Sequence, residues 1–345
     1  MIGLGIGLAV TVAAVTAGAV EVVRRWALRQ SVVDVPNGRS SHTVPTPRGG
    51  GLAVVGVTAA GAALALALGV RGALPGLLVS AAAVAVVSAV DDVRPLRPRT
   101  RFAAHGLAAV LAVGAFGPWT ALAVPFVGTV SVGPVVGGAL SVVWLVGLTN
   151  AYNFMDGIDG IAGAQAVVAG AAWAAVGSTA GMPSVALVGG VVAASAVGFL
   201  VHNWSPARIF MGDVGSATLG FVFAALGLAA SDLAAGAVGR RAPLGALLFV
   251  WPFVFDAALT FVRRLRAGED VFAAHRSHLY QRMVIAGWTH RRVATLYATL
   301  AATSAAAGAA WVLTGSEWAV VAGLVAPVSG ALRATAAAER SGGQA

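Results

Sequence analysis

The stretch Leu148-Thr149-Asn150-Ala151-Tyr152-Asn153-Phe154-Met155-Asp156-Gly157-Ile158-Asp159-Gly160-Ile161-Ala162-Gly163 decides how the chain is read. Asn150, Asn153, Asp156 and Asp159 recur at a strict spacing of three. On a helix that spacing keeps polar groups on one slowly drifting stripe. Gly157, Gly160 and Gly163 let backbone or ligand approach closely. Apolar segments flank the stretch on both sides, and two amides and two carboxylates beside a bilayer are costly unless they are used. Their oxygens suit a hard cation such as Mg²⁺, and Mg²⁺ in turn suits phosphates. A plain polar turn between membrane helices needs no such stripe.

Outward from this stretch the chain is apolar. Of its 345 residues 58% are hydrophobic and only 10% charged, where a soluble domain carries about a quarter charged. Mean hydropathy is +0.86. The composition predicts an all-α integral membrane protein, with one polytopic domain over 1–334 and a short polar tail over 335–345. Apolar segments of spanning or near-spanning length lie near 1–23, 51–70, 73–90, 102–117, 134–149, 163–178, 184–201, 215–231, 242–262, 293–313 and 317–334, about eleven transmembrane helices. Residues 118–133, rich in Gly, Pro and β-branched side chains, read as an extracytoplasmic hairpin or loop. The N-terminus is apolar at once, and Arg24 and Arg25 follow the apolar run, so the first segment reads as a span with its N-terminus outside rather than a signal peptide.

The arginines support that orientation. Among the 22 basic residues there is no Lys. With the N-terminus out and the C-terminus in, 19 arginines fall on the inner side and three, Arg71, Arg240 and Arg241, on the outer, a strong positive-inside signal. The net charge of +9 is therefore membrane topology, not a nucleic-acid surface. Asp34, Asp91, Asp92, Asp156, Asp159, Asp213, Glu269 and Asp270 also fall inside, which places the active site on the cytoplasmic face. Zero Cys excludes disulfides and thiolate chemistry.

Four further inner loops carry chemistry. The first, Asp34-Val-Pro-Asn37-Gly-Arg39-Ser-Ser-His42-Thr-Val-Pro45-Thr-Pro47-Arg48, sets Arg39, His42 and Arg48 where they could meet phosphate. Arg24, Arg25 and Arg29 read as anchoring only. Asp91-Asp92 closes an apolar helix, where acidic groups oppose the macrodipole and need a reason. Adjacent helical residues point about 100° apart, so one can hold a metal while the other faces a reacting group. Phe210-Met-Gly212-Asp213-Val-Gly215-Ser216 opens a span, a good place for phosphate and its metal, and also an N-cap. In His275-Arg276-Ser277-His278-Leu-Tyr280-Gln281-Arg282 the two histidines are expected on one helix face, with Arg282 a turn further, as an anion-binding surface. Two His without Cys or a third ligand make a poor zinc site.

Together, Asn150-x-x-Asn153-x-x-Asp156-Gly-x-Asp159-Gly, Phe210-Met-Gly-Asp213-x-Gly-Ser216, Asp91-Asp92 and the His275 loop resemble the polyprenyl-phosphate N-acetylhexosamine-1-phosphate transferase family, glycosyltransferase family 4. The resemblance runs from Asp34 to Arg282. It implies Mg²⁺ (or Mn²⁺), a UDP-N-acetylhexosamine donor, undecaprenyl phosphate as membrane-lipid acceptor, release of UMP, and the start of a lipid-linked cell-envelope glycan. On it, Asp213 is the metal ligand, with Asn153 beside it. Asp91 and Asp92 orient or deprotonate the lipid phosphate, Asp156 and Asp159 shape the donor and metal site, and Asn37, Arg39, His42, Asn150, His275, His278 and Arg282 serve the substrates. Ser40 and Ser41 stand where many relatives carry Lys. The His275 loop lacks the triple-His form of the peptidoglycan branch and is closer to the branch that uses N-acetylated 6-deoxy sugars. A homodimer is left open. An intramembrane prenyltransferase explains the aspartates but leaves the His loop idle, and a transporter would show repeated halves and ionisable groups near the midplane.

Overall fold

The structure, a computed structural model, describes residues 2–36, 44–271, 273 and 275–342. It is a helix bundle. In chain order the helices are α1 (Ile2–Arg29), α2 (Gly51–Ala67), α3 (Leu74–Val93), α4 (Pro98–Phe116), α5 (Gly133–Phe154), α6 (Ile161–Thr179), α7 (Pro183–Asn203), α8 (Asp213–Leu233), α9 (Gly236–Phe249), α10 (Trp251–Arg266), α11 (Leu279–Ile285), α12 (His290–Thr314) and α13 (Glu317–Gly342). Proline stands in the first turn of α3, α4, α5, α7 and α10, where its missing N–H breaks no helical hydrogen bond.

Among the described residues eight helices are long and apolar enough to cross a membrane: α1, α3, α5, α6, α7, α8, α12 and α13. A ninth span forms if α9 and α10, bent by 69°, are counted as one. The break falls at Val250, two residues before Pro252, which cannot donate to the preceding turn. The other two expected spans are helices that fall short: α2 has 17 residues, and α4 opens with Arg99 and Arg101.

Helix α8 is the axis of the bundle. Its apolar window is 94% buried, and it packs against α3, α5, α9 and α2, as a helix that is hydrophobic all round must. Backbones cross closely where side chains are smallest. A Cβ on Gly170 of α6 would lie 2.6 Å from Gly189 O of α7, the small-residue contact of membrane helix pairs.

The expected hairpin exists as β3 (Ala121–Val124) and β4 (Gly128–Ser131), antiparallel from Ala121↔Ser131 to Val124↔Gly128. Its tip is tied to α13: Phe126 N–H donates to Glu317 (2.9 Å) and its ring meets Trp318 edge-on. A shorter ladder, β1 (Val33–Asp34) with β2 (Thr46–Pro47), closes the first loop. The expected polar tail is instead helical as far as residue 342. α13 runs through Gly342, with Thr335 and Ala338 buried.

Candidate active site

The C-terminal ends of α3, α5 and α10 and the N-terminal ends of α4, α8, α11 and α12 meet at one end of the bundle, and the motif residues meet there with them. The polar stripe is half helix, half loop. Asn150 and Asn153 lie on α5, which ends at Phe154, while Asp156 and Asp159 lie on the loop that follows. At the end of α5 the Tyr280 hydroxyl donates to Phe154 O (3.1 Å) and packs against Gly157, and Gly160, at φ +79°, then begins α6 as its N-cap.

Asp92 anchors the carboxylate cluster. Its Oδ1 accepts the N–H of Asp213 at 2.9 Å and its Oδ2 that of Val214 at 3.0 Å, so it caps α8 from another helix. A Cβ at Gly212 would stand 2.8 Å from Asp92 Oδ2, so glycine is required there. Arg48 pairs with the same carboxylate. Arg48 is carried in by backbone hydrogen bonds between the first loop and the segment before α8: Phe210 N–H to Pro47 O (2.8 Å), Gly50 N–H to Phe210 O (2.9 Å) and Gly51 N–H to Met211 O (2.8 Å).

Arg101 joins the other members. Nη1 lies 3.0 Å from Asp91 Oδ2, and Nη2 lies 3.1 Å from Asp213 Oδ2 and 3.4 Å from Asn153 Oδ1. Asn153 in turn donates to Ser216 Oγ at 3.0 Å. Asp91 also accepts the N–H of Leu96 at 2.6 Å. Burial, with the charges of Asp213 and Asp92, pushes the Asp156 carboxyl up to about 7, against the pull of Arg48. Asp159 is tied down. It lies 3.3 Å from His290 Nδ1 and accepts the N–H of Ala207 at 3.1 Å. Burial raises its carboxyl, but His290 and these donors outweigh burial and hold it below the usual range.

His275 and His278 do not share a helix face, because α11 begins only at Leu279, with His278 as its N-cap. The loop still brings their rings to 5.0 Å. Burial, then the neighbouring His278 and Arg264, lower His275 to about 4, so its imidazole is neutral and offers hydrogen bonds rather than charge. Arg282 is engaged by Glu339 of α13 (2.6 Å), not by the carboxylate cluster. Asn150 donates to Val146 O (2.7 Å) and meets His105 (3.3 Å). Asn37, Arg39 and His42 lie outside the described residues.

Two connected cavities leave this cluster. One, of about 410 Å³, is walled by Arg101, Asn150, His275, His278 and Gln281. The other, of about 480 Å³, shares Asn150, His275 and His278 and continues between α5 and α10 along Trp144, Leu148, Val254 and Phe261. It is apolar along most of its length.

Sequence reasoning missed Arg101, His290 and Asp256. Arg101 is one of four arginines over 94–101, and nothing in the run tells which one turns inward. Asp256 is a carboxylate within an apolar helix, which is the signal that could have found it. Among the described residues no three Asp, Glu or His side chains are grouped closely enough to hold a metal ion by themselves. The donor set is nonetheless all oxygen, and Asp92 and Asp213 are near enough for their charges to raise the Asp156 carboxyl. That suits Mg²⁺, which takes one or two carboxylates and completes its shell with water and substrate phosphate.

The profile of glycosyl transferase family 4 matches residues 74–231, which hold the α3 aspartates, the α5–α6 stretch and the start of α8. Decaprenyl-phosphate N-acetylglucosaminephosphotransferase of Mycobacterium leprae is 34% identical over 312 residues, covering 83% of this chain and 78% of that protein. The probable undecaprenyl-phosphate N-acetylglucosaminyl 1-phosphate transferase of Bacillus subtilis is 30% identical over 271 residues, covering 78% and 74%. The phospho-N-acetylmuramoyl-pentapeptide-transferase of Latilactobacillus sakei matches at 40% over only 108 residues, 31% of this chain. With the similarity spread over both chains and the motif residues gathered at one end of a membrane bundle, the chain belongs to glycosyl transferase family 4, the polyprenyl-phosphate sugar-phosphate transferases.

Proposed function

We propose that the protein transfers N-acetylglucosamine-1-phosphate from UDP-N-acetylglucosamine to a polyprenyl phosphate, releasing UMP, at the cytoplasmic face of a bacterial plasma membrane, and so begins a lipid-linked envelope glycan. The observation that carries this is that Arg101, which bridges Asp91 and Asp213, also lines a cavity that shares Asn150, His275 and His278 with an apolar groove between α5 and α10. A long isoprenoid can lie in the groove while its phosphate reaches Arg101 and the histidines. The names of the Mycobacterium and Bacillus relatives favour N-acetylglucosamine over the 6-deoxy sugars. The muramoyl-pentapeptide enzymes match less of the chain, 31% and 56%, than the 83% and 78% covered by the N-acetylglucosamine enzymes.

In the reaction an oxygen of the lipid phosphate attacks the β-phosphorus of the donor. A new P–O–P bond forms as the bond to the bridging oxygen of UMP breaks, and UMP leaves with that electron pair. Asp213, with Asn153 at hand, would hold Mg²⁺, whose positive charge would offset the negative charge of the diphosphate. Arg101 and Arg48 offset the repulsion between two anionic substrates, which is most of what such a transition state asks of a protein. Asp91 is placed by Arg101 to orient the attacking phosphate. Asp156, poised near neutrality, is suited to take a proton from it.

One phosphoanhydride replaces another, so the step is nearly balanced and reversible. Radiolabelled UMP should exchange into UDP-N-acetylglucosamine only when polyprenyl phosphate and the metal are both present. Release of pyrophosphate would point to a prenyltransferase, and release of UDP to transfer of the sugar without its phosphate. Either result overturns the reading.

A further inference from the structure

Asp256 lies in the apolar run Trp251-Pro-Phe-Val-Phe-Asp256 of α10 and is fully buried. A carboxylate there is costly unless its lone pairs are filled. Three of the five groups that fill them belong to the histidine loop and the start of α11. Oδ1 accepts the N–H of Leu279 at 2.9 Å and the hydroxyl of Thr260 at 3.2 Å, and stands 3.3 Å from His278 Nδ1. Oδ2 accepts the hydroxyl of Tyr297 at 2.6 Å and the N–H of Tyr280 at 3.3 Å. The His278 ring is also stacked on Tyr280 at 5.6 Å. The imidazole is therefore fixed on one edge by a carboxylate and on one face by an aromatic ring. The same histidine lines both cavities that leave the carboxylate cluster.

We propose that Asp256 is a positioning residue for the transfer reaction. It takes a hydrogen bond from His278 Nδ1–H, which selects that tautomer and leaves Nε2 as the nitrogen available to the substrate chamber. This rests on the transferase reading for what His278 does, but not for how it is held. A histidine needs such a partner because its two nitrogens compete for one proton, and the hydrogen bond on one sets the role of the other. Carboxylate partners of this kind typically contribute 10–100-fold where they orient a metal-bound histidine. A histidine aimed at a phosphate has the same geometric need. One buried carboxylate on α10 thus reaches the first turn of α11, through Leu279 and Tyr280, and the second turn of α12, through Tyr297.

The test separates positioning from simple capping of α11. In ¹⁵N-histidine spectra of the full chain in detergent, with His278 assigned from its loss in His278→Asn, His278 should show a protonated Nδ1 and a bare Nε2. An Nε2–H tautomer overturns the proposal, whatever the enzyme's reaction proves to be. In kinetics Asp256→Asn should lower kcat about 10–100-fold, with KM for the UDP-sugar within about threefold. His278→Asn should do the same, and the double variant should be no worse than the poorer single variant, as for residues acting as one unit. Tyr297→Phe removes a hydrogen bond from the same carboxylate without touching His278 and should keep activity within about threefold. Multiplying losses in the double variant, or an equal loss in Tyr297→Phe, would make Asp256 a structural cap only. If wild-type protein shows no UMP exchange, the transferase reading fails, while the tautomer measurement still decides the role of Asp256.

Discussion

The carboxylate of Asp92 accepts the backbone N–H of Asp213 at 2.9 Å, so a residue that ends α3 caps the helix that Asp213 begins. With Val214 N–H and Arg48 also on it, Asp92 has its lone pairs committed to the fold. Asp213 presents its own carboxylate a quarter exposed, with Arg101 on one oxygen and Asp91 close by. The two aspartates therefore divide the work, one anchoring and one free to meet a ligand. Asp92→Ala should destabilise the protein by about 1–2 kcal/mol, the scale of a lost cap in a favourable geometry, read by denaturant unfolding in detergent. Stability unchanged by Asp92→Ala would contradict the capping role.

Asp213→Asn should leave stability nearly intact and remove activity by about 100-fold or more, as expected when charge stabilisation of a transferring phosphoryl group is lost. A chelator should abolish wild-type activity, and Mg²⁺ or Mn²⁺ should restore it. Full turnover in excess chelator, or in Asp213→Asn, would remove Asp213 from the metal site.

Arg101 spans Asp91, Asp213 and Asn153 with one planar fork. Arg101→Lys keeps the charge but not the fork, so it cannot hold both carboxylates at once. A loss of about 10–100-fold in activity is expected for Arg101→Lys as well as Arg101→Gln, the scale of a lost orienting partner. Rescue by lysine would show that charge alone matters.

Much of this was legible in the sequence for a physical reason. Apolar runs long enough to span a bilayer have few other uses, and aspartates beside them are too costly to be idle, so most of the spanning helices, and the gathering of Asp91, Asp92, Asp156 and Asp213 at one end of them, could be read in advance. What could not be read depends on tertiary approach. The spacing of three from Asn150 to Asp159 reads as one helix, yet α5 ends at Phe154, with the Tyr280 hydroxyl on its last carbonyl. The spacing of His275, His278 and Arg282 reads as another, yet Asp256, in a different helix, starts α11 at Leu279. Arg282 looks like an anion contact until α13 supplies Glu339. Each of these partners is remote in sequence, and no local pattern announces it.

The orientation inferred from the arginines has a clean test, because the chain has no Cys to remove. Thr100 lies at the site end of α4 and Thr179 at the far end of α6, and both are exposed. In intact cells an impermeant thiol reagent should label Thr179→Cys and spare Thr100→Cys until the membrane is opened. The reverse pattern would put the site on the outer face.

Asp156 should make stability depend on pH in a direction opposite to most carboxylates. Its folded value of about 7 lies above its unfolded value of 3.8, so between these limits the folded protein holds a proton that the unfolded chain gives up. Stability then falls as pH rises across that window, and the contribution is fully present only below the unfolded value. The Tm of the wild type relative to Asp156→Asn, measured without divalent cations, should therefore decline from about pH 5 to about pH 7 and level off above it. Nearby positive charge favours the ionised form, so Mg²⁺ bound at Asp213 should flatten the decline. A difference that is flat across this range without Mg²⁺ would show that Asp156 is already ionised, and the role of proton acceptor would then have to move to Asp91.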